Sequence, residues 1–201
     1  MDLPPPGGAG PESTGNDNEQ REVQHETLPR IYVASLSDYN TGRLHGVWID
    51  ATEDIENVYT AVENLLSSSP EPIAEEFAIH DYEGFGSVRF SEYEKLETVV
   101  RIAQGIAEHG KPFAGWAACL GESQWDDHLD EFGDHYLGSY ESVEDYAAQL
   151  LDDLGVDVDN LGPENLQPYV RFDLEAFARD LSMDLDVEQD DAGVHIFDAR
   201  L

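Results

Sequence analysis

The chain has 201 residues, with 44 Asp and Glu against 10 Lys and Arg, for a formal net charge of -34. That balance excludes direct binding to DNA, RNA or an anionic membrane surface, all of which are gripped by clustered Lys and Arg. Hydrophobic content of 40% with 10% aromatics is enough for a buried core, and a lone cysteine, Cys119, permits no intramolecular disulfide, so a folded protein of the reducing cytoplasm is expected.

Residues 1–29 are rich in Pro, Gly and polar side chains and are expected to form a disordered N-terminal arm. They contain no basic and apolar leader pattern, and no run in the chain reaches the roughly 18 apolar residues of a membrane span. Residues 31–36 and 45–50 read as strands, with a turn over 38–42. Thr52 is placed to cap a helix, with Glu53 and Asp54 in its first turn. Ile55, Val58, Val62, Leu65 and Leu66 follow at helical spacing until Ser67 to Pro70 end the run, and 77–82 reads as a third strand.

Ser91-Glu92-Tyr93-Glu94 has the form of a capping box, opening a helix with the stripe Tyr93, Leu96, Val99, Val100, Ala103, Ile106 and Ala107. Gly110 and Pro112 stop it. A short apolar helix over 113–120 is expected next, then one around Trp125, Leu129 and Phe132. Ser142 caps another, with Val143, Tyr146, Ala147, Leu150, Leu151 and Leu154 inward and Gly155 at its end. Helical pieces near 164–170 and 173–182 precede a hairpin in which Met183, Leu185 and Val187 alternate, 190–193 turns and 194–197 returns. The class is α+β, with strands at both ends and helices between.

The charge is concentrated. Between Lys111 and Arg171 there is no Lys or Arg, yet the stretch carries fourteen carboxylates, Asp159 and Glu164 among them. Glu122, Asp126, Asp130 and Asp134 are spaced four apart, and Asp127 and Glu131 form a second such pair. On a helix these would make a solvent-facing ridge opposite Trp125, Leu129 and Phe132, although each like-charge pair costs roughly 0.2–0.5 kcal/mol. Glu141, Asp145 and Asp152, with Glu144 and Asp153 beside them and Asp157 beyond, repeat the arrangement. A helix sets such groups roughly 5.4 Å apart along its axis. Duplex DNA carries one charge per about 1.7 Å, so two or three ridges side by side begin to resemble a phosphate array.

Catalytic readings are weaker. His128 and His135, near Asp127, Asp130 and Asp134, have the residue types of a metal site, but the chain holds no HExxH and no paired CxxC. His80-Asp81 lacks a nucleophile, and Cys119 among Trp116, Ala117, Ala118 and Leu120 reads as a small buried hydrophobe. Gly84-x-Gly86 reads as a turn and not a phosphate loop, and Trp48, Trp116 and Trp125 read as core anchors, with a subunit interface as the alternative place for one of them. No catalytic residue, metal or cofactor is expected.

Several motifs together resemble one family. The run from Ile31-Tyr32-Val33-Ala34-Ser35-Leu36 through Tyr39, Asn40, Gly42, Leu44 and Gly46 to Trp48 is similar to the opening of the ArdA antirestriction proteins. So are residues 75–83, the run from Phe132 through Tyr136, Gly138 and Tyr140 to Ala147, and Phe177 to Leu181. The resemblance implies an elongated homodimer of three small domains per chain, here 30–88 (sheet and helix), 89–138 (helical) and 139–201 (mixed). It implies an acidic surface that imitates bent B-form DNA and occupies the DNA-binding groove of type I restriction–modification enzymes. The mimic surface would be Glu122, Asp126, Asp127, Asp130, Glu131, Asp134, Glu141, Glu144, Asp145, Asp152, Asp153 and Asp157. Tyr169, Phe172 and Phe177, in the region after Gly155, are the expected dimer contacts, because aromatics are enriched in interface cores. The alternative is an acidic module that sequesters another basic DNA-binding protein.

Overall fold

The computed structural model describes residues 28–200. The expected arm lies outside the described residues apart from Leu28 and Pro29, and the Pro29 carbonyl already accepts from the Ala51 N–H at 3.0 Å.

The first sheet has β1 (Arg30–Ser35) at its centre, antiparallel to β2 (Gly46–Asp50) on one side and β3 (Phe77–Glu83) on the other. Alternation along β1 buries Ile31 and Val33, while Tyr32 faces the other way and pairs across the sheet with Trp48. β3 carries one extra residue against β1: Val33 opposes Ile79 and Tyr32 opposes Asp81, so His80 forms a bulge. α2 (Ile55–Ser67) packs on this sheet with Val58, Val62 and Leu65 buried. Side chains of this size contribute about 1.5–3 kcal/mol each when fully buried.

Three boundaries here differ from expectation, because polar groups that could punctuate a helix have other partners. Residues 38–42 are not simply a turn: α1 (Leu36–Asn40) forms there, with the Ser35 hydroxyl accepting from the Asp38 N–H. The Asp38 carboxylate is fully buried and is bonded by the Ser69 hydroxyl and by the Arg43 guanidinium at 2.9 Å. Burial pushes its pKa up, but those bonds outweigh burial and hold it below the usual range. Thr52 does not cap α2, since its N–H and hydroxyl both go to the Asp50 carboxylate (2.9 and 2.6 Å), and Asp54 takes the cap position. The Ser91 box does not open the next helix either. The Glu92 carbonyl accepts from the Ile79 N–H of β3 at 2.9 Å, so α3 (Leu96–His109) starts after Lys95 and Tyr93 is 66% exposed.

α3 ends at Gly110 (φ +70°), a conformation that favours glycine, and α4 (Lys111–Leu120) follows at once. Pro112 therefore lies in the first turn of α4, where its missing N–H costs nothing, and does not terminate α3. Gly105 permits the close approach of these helices, since a Cβ there would lie 2.3 Å from the Phe113 ring. The helix expected around Trp125 is broken into α5 (Trp125–His128), a 3-10 turn at Leu129–Glu131 and α6 (Phe132–His135). Trp125, Leu129 and Phe132 are nevertheless all buried, and the Trp125 indole donates to the Ala117 carbonyl at 2.7 Å.

The second sheet, order β4-β6-β5, contains a strand that residue propensity does not suggest. β4 (Tyr136–Tyr140) includes Gly138 and Ser139, and pairing with β6 (Gly193–Asp198) holds it in register. β5 (Leu185–Asp190) and β6 form the expected hairpin, although Met183 lies before it in a 3-10 turn, 77% exposed. α7 (Val143–Asp153) begins as expected, with the Ser142 hydroxyl accepting from the Asp145 N–H. The piece at 164–170 reduces to a 3-10 turn, Gln167–Tyr169, and α8 (Leu174–Leu181) is capped by Asp173. The class is mixed α/β with antiparallel sheets, as the α+β reading expects.

One cluster of buried side chains runs from Ile31 and Val33 through Val58, Ile102, Trp116 and Leu129 to Phe197 on β6. Trp116 and Trp125 are core anchors; Trp48 is not, being 36% exposed with the Arg30 guanidinium 4.6 Å above its ring.

Candidate partner-binding surface

Of the fourteen carboxylates between Lys111 and Arg171, thirteen are exposed, and Glu131 alone is half-buried. The single helical ridge expected over 122–134 does not form. Glu122 precedes α5, and the 3-10 turn advances about 120° per residue where an α-helix advances about 100°, so Asp130 and Asp134 fall out of phase with Asp126.

The stretch is also less isolated than its sequence suggests. Lys95 Nζ lies 2.8 Å from Asp126, and Arg101 of α3 reaches Asp130 at 3.1 Å. The hydrogen bond from Lys95 holds the Asp126 carboxyl below its ordinary range. Asp127 and Asp134 are exposed beside these pairs. Glu94 belongs to the same surface, although sequence reasoning assigned it to a helix cap. Burial pushes its pKa up, and the nearby Glu122 carboxylate pushes it further, against a hydrogen bond from the Lys95 N–H.

α7 carries the second group. Glu144 and Asp145 occupy its first turn, where the helix dipole favours anions, and Asp145 also accepts from the Ser142 hydroxyl. Asp152 and Asp153 sit at the opposite end, with no basic residue in the last turn. Anions there oppose the dipole, an effect typically worth about 0.3–1 kcal/mol each at an exposed site. Carboxylates kept against the local field are what a surface selected for its charge would retain. Glu141 precedes the helix, and Asp157 follows it in a turn closed by Asn160 and by the Asp159 N–H.

Of the predicted dimer contacts, Tyr169 is 83% exposed, whereas Phe172 and Phe177 are half-buried against each other with centroids 5.5 Å apart. A cleft of about 350 Å³ reaches Phe172, lined by Leu151, Val156, Val158, Val170 and Leu174 together with the charged Asp152, Asp159 and Arg171. Leu154, Leu166 and Val170 are exposed nearby in sequence.

The groups that suggested chemistry are engaged elsewhere. His128 Nδ1 is 2.7 Å from Glu131, and His135 Nδ1 is 2.9 Å from the Asp198 carbonyl. Among the described residues no three His, Cys, Asp or Glu side chains converge as metal ligands would. Burial, followed by the charges of Asp186 and Glu188, pushes the Cys119 thiol up to about 12, which keeps it in the unreactive thiol form. His80 packs edge-on to Tyr39, with centroids 4.7 Å apart. No helix among the described residues is long and apolar enough to cross a membrane.

These features define a mixed α/β protein whose most distinctive surface is anionic. Residues 31–195 match the family model described as antirestriction protein (ArdA), and the chain belongs to that family. No curated protein matches the sequence.

Proposed function

We propose that this protein is an antirestriction inhibitor that acts by binding, not by catalysis. Its carboxylates stand in for the phosphates of B-form DNA and occupy the DNA-binding groove of a type I restriction–modification enzyme in the cytoplasm. Membership of the ArdA family supports the antirestriction role. The observation that carries the mimicry is the exposure of thirteen carboxylates on a stretch without a single Lys or Arg, two of them set against the dipole of α7. The homodimer is part of the same proposal, supported by exposed Tyr169 and by exposed Leu154, Leu166 and Val170 in the same region of the sequence.

An electrophoretic competition assay with a purified type I methyltransferase tests the reading. The inhibitor displaces labelled DNA from the enzyme in proportion to its concentration. Failure to displace that DNA, combined with capture of a histone-like protein, would instead make the chain a sequestering module.

A further inference from the structure

The least expected polar constellation lies between the acidic segment and the end of β6. One oxygen of Glu131 faces two histidines: it is 2.7 Å from Nδ1 of His128 and 3.8 Å from Nε2 of His135. A carboxylate only accepts, so His128 carries a proton on Nδ1. The other nitrogen of His135, Nδ1, lies 2.9 Å from the Asp198 carbonyl, which also only accepts. His135 is therefore committed to an Nδ1–H tautomer, and in the neutral ring Nε2 presents a bare lone pair to an anionic oxygen. Two acceptors face each other with no proton between them.

The ring also stands against an aromatic face. The His135 side chain is 14% exposed and stacks on Trp116 of α4, with centroids 5.2 Å and planes 19° apart. A cation over an indole face is attracted by the ring quadrupole. The charged and titratable groups around His135 are Glu131 and His128 from the broken helix, Asp198 paired with Arg200 from β6, and Tyr136 from β4, whose hydroxyl is bonded to Ser139.

We propose that His128, Glu131 and His135 form a proton-operated catch. Uptake of a proton at Nε2 of His135 closes an Nε2–H···Glu131 contact while Nδ1 holds the Asp198 carbonyl, tying the acidic segment to the last strand. The same event adds positive charge to the acidic segment, one residue after Asp134 in sequence. If the surface is the DNA substitute proposed above, closing the catch weakens the inhibitor at acidic pH; that consequence rests on the proposed function, whereas the catch itself does not.

Long-range ¹H–¹⁵N NMR of the full chain tests it without any restriction enzyme. At pH 8 the His135 ring shows a protonated Nδ1 and a bare Nε2, and at pH 5.5 both nitrogens are protonated. In Glu131→Gln the Nε2–H signal of His135 at pH 5.5 is weakened or lost, because the opposite charge 3.8 Å away is removed. In Glu164→Gln, which removes an exposed carboxylate that is not in the cluster, it is unchanged. A His135 ring found as the Nε2–H tautomer at pH 8 overturns the proposal, as does an equal effect of the two variants. Either result leaves the mimicry reading standing, since only the competition assay decides that.

Discussion

Lys95 Nζ lies 2.8 Å from the Asp126 carboxylate, across thirty-one positions of sequence. With Arg101 on Asp130, it turns two members of an apparently uncompensated acidic run into paired groups. The remaining charge is still large, and its repulsion sets the first expectation. The melting temperature rises as NaCl increases from low to physiological strength, where the screening length shrinks to about 8 Å. Thermal melts followed by circular dichroism check this, and a steady fall over that range would contradict it.

The proposed binding to a restriction enzyme predicts a contact distributed over many similar carboxylates. Asp130→Asn alone changes inhibition little. Neutralising Glu122, Asp126, Asp130 and Asp134 together weakens it more than about tenfold and flattens its dependence on salt. Titration of methyltransferase inhibition at two salt concentrations measures both effects. Loss of inhibition from Asp130→Asn in a folded protein would identify a hot spot.

Glu94 has a folded-state pKa raised by burial and by Glu122. A carboxyl raised above its unfolded value, about 4.3, contributes stability below that value and loses it as pH rises through the folded pKa. Ionised Glu94 is therefore unfavourable at pH 7. Glu94→Gln raises the midpoint of urea unfolding at pH 7, and the gain shrinks toward pH 4, where the native carboxyl is itself protonated. A variant less stable than the parent at pH 7 would contradict this sign.

Phe197 is fully buried and packs near Trp116, Phe132 and Tyr136, with centroids 5.6, 6.4 and 5.6 Å away. Phe197→Ala costs about 3–5 kcal/mol of unfolding free energy, as removal of a buried phenyl ring typically does. Urea denaturation provides the measurement, and a loss below 1 kcal/mol would mean that the β6 side of the core collapses onto the cavity.

The proposed homodimer predicts that sedimentation equilibrium at micromolar concentration gives twice the 22.4 kDa mass of the chain. Tyr169→Asp shifts it toward monomer, since the ring is exposed and its replacement adds charge to the proposed interface core. Phe172→Asp would also disturb the contact with Phe177, so its circular dichroism spectrum must match that of the parent before its mass is interpreted.

Local signals carried much of this protein. Short strand-like runs marked β1, β2 and β3, apolar spacing marked α2 and the body of α3, and Ser142 marked the start of α7, because each depends on neighbours within a few residues. The acidity of the candidate surface, and the motifs that align with the ArdA family, were equally legible in one dimension. Tertiary structure decided whatever depends on partners far along the chain. The β3 N–H of Ile79 takes the Glu92 carbonyl and delays α3, and β6 recruits Gly138 and Ser139 into a strand. Lys95 and Arg101 reach the acidic run from α3, and the Asp198 carbonyl, sixty-three positions from His135, selects its tautomer. A carboxylate's charge is a property of its residue, but its partners, its phase on a helix and its cost are properties of the space around it.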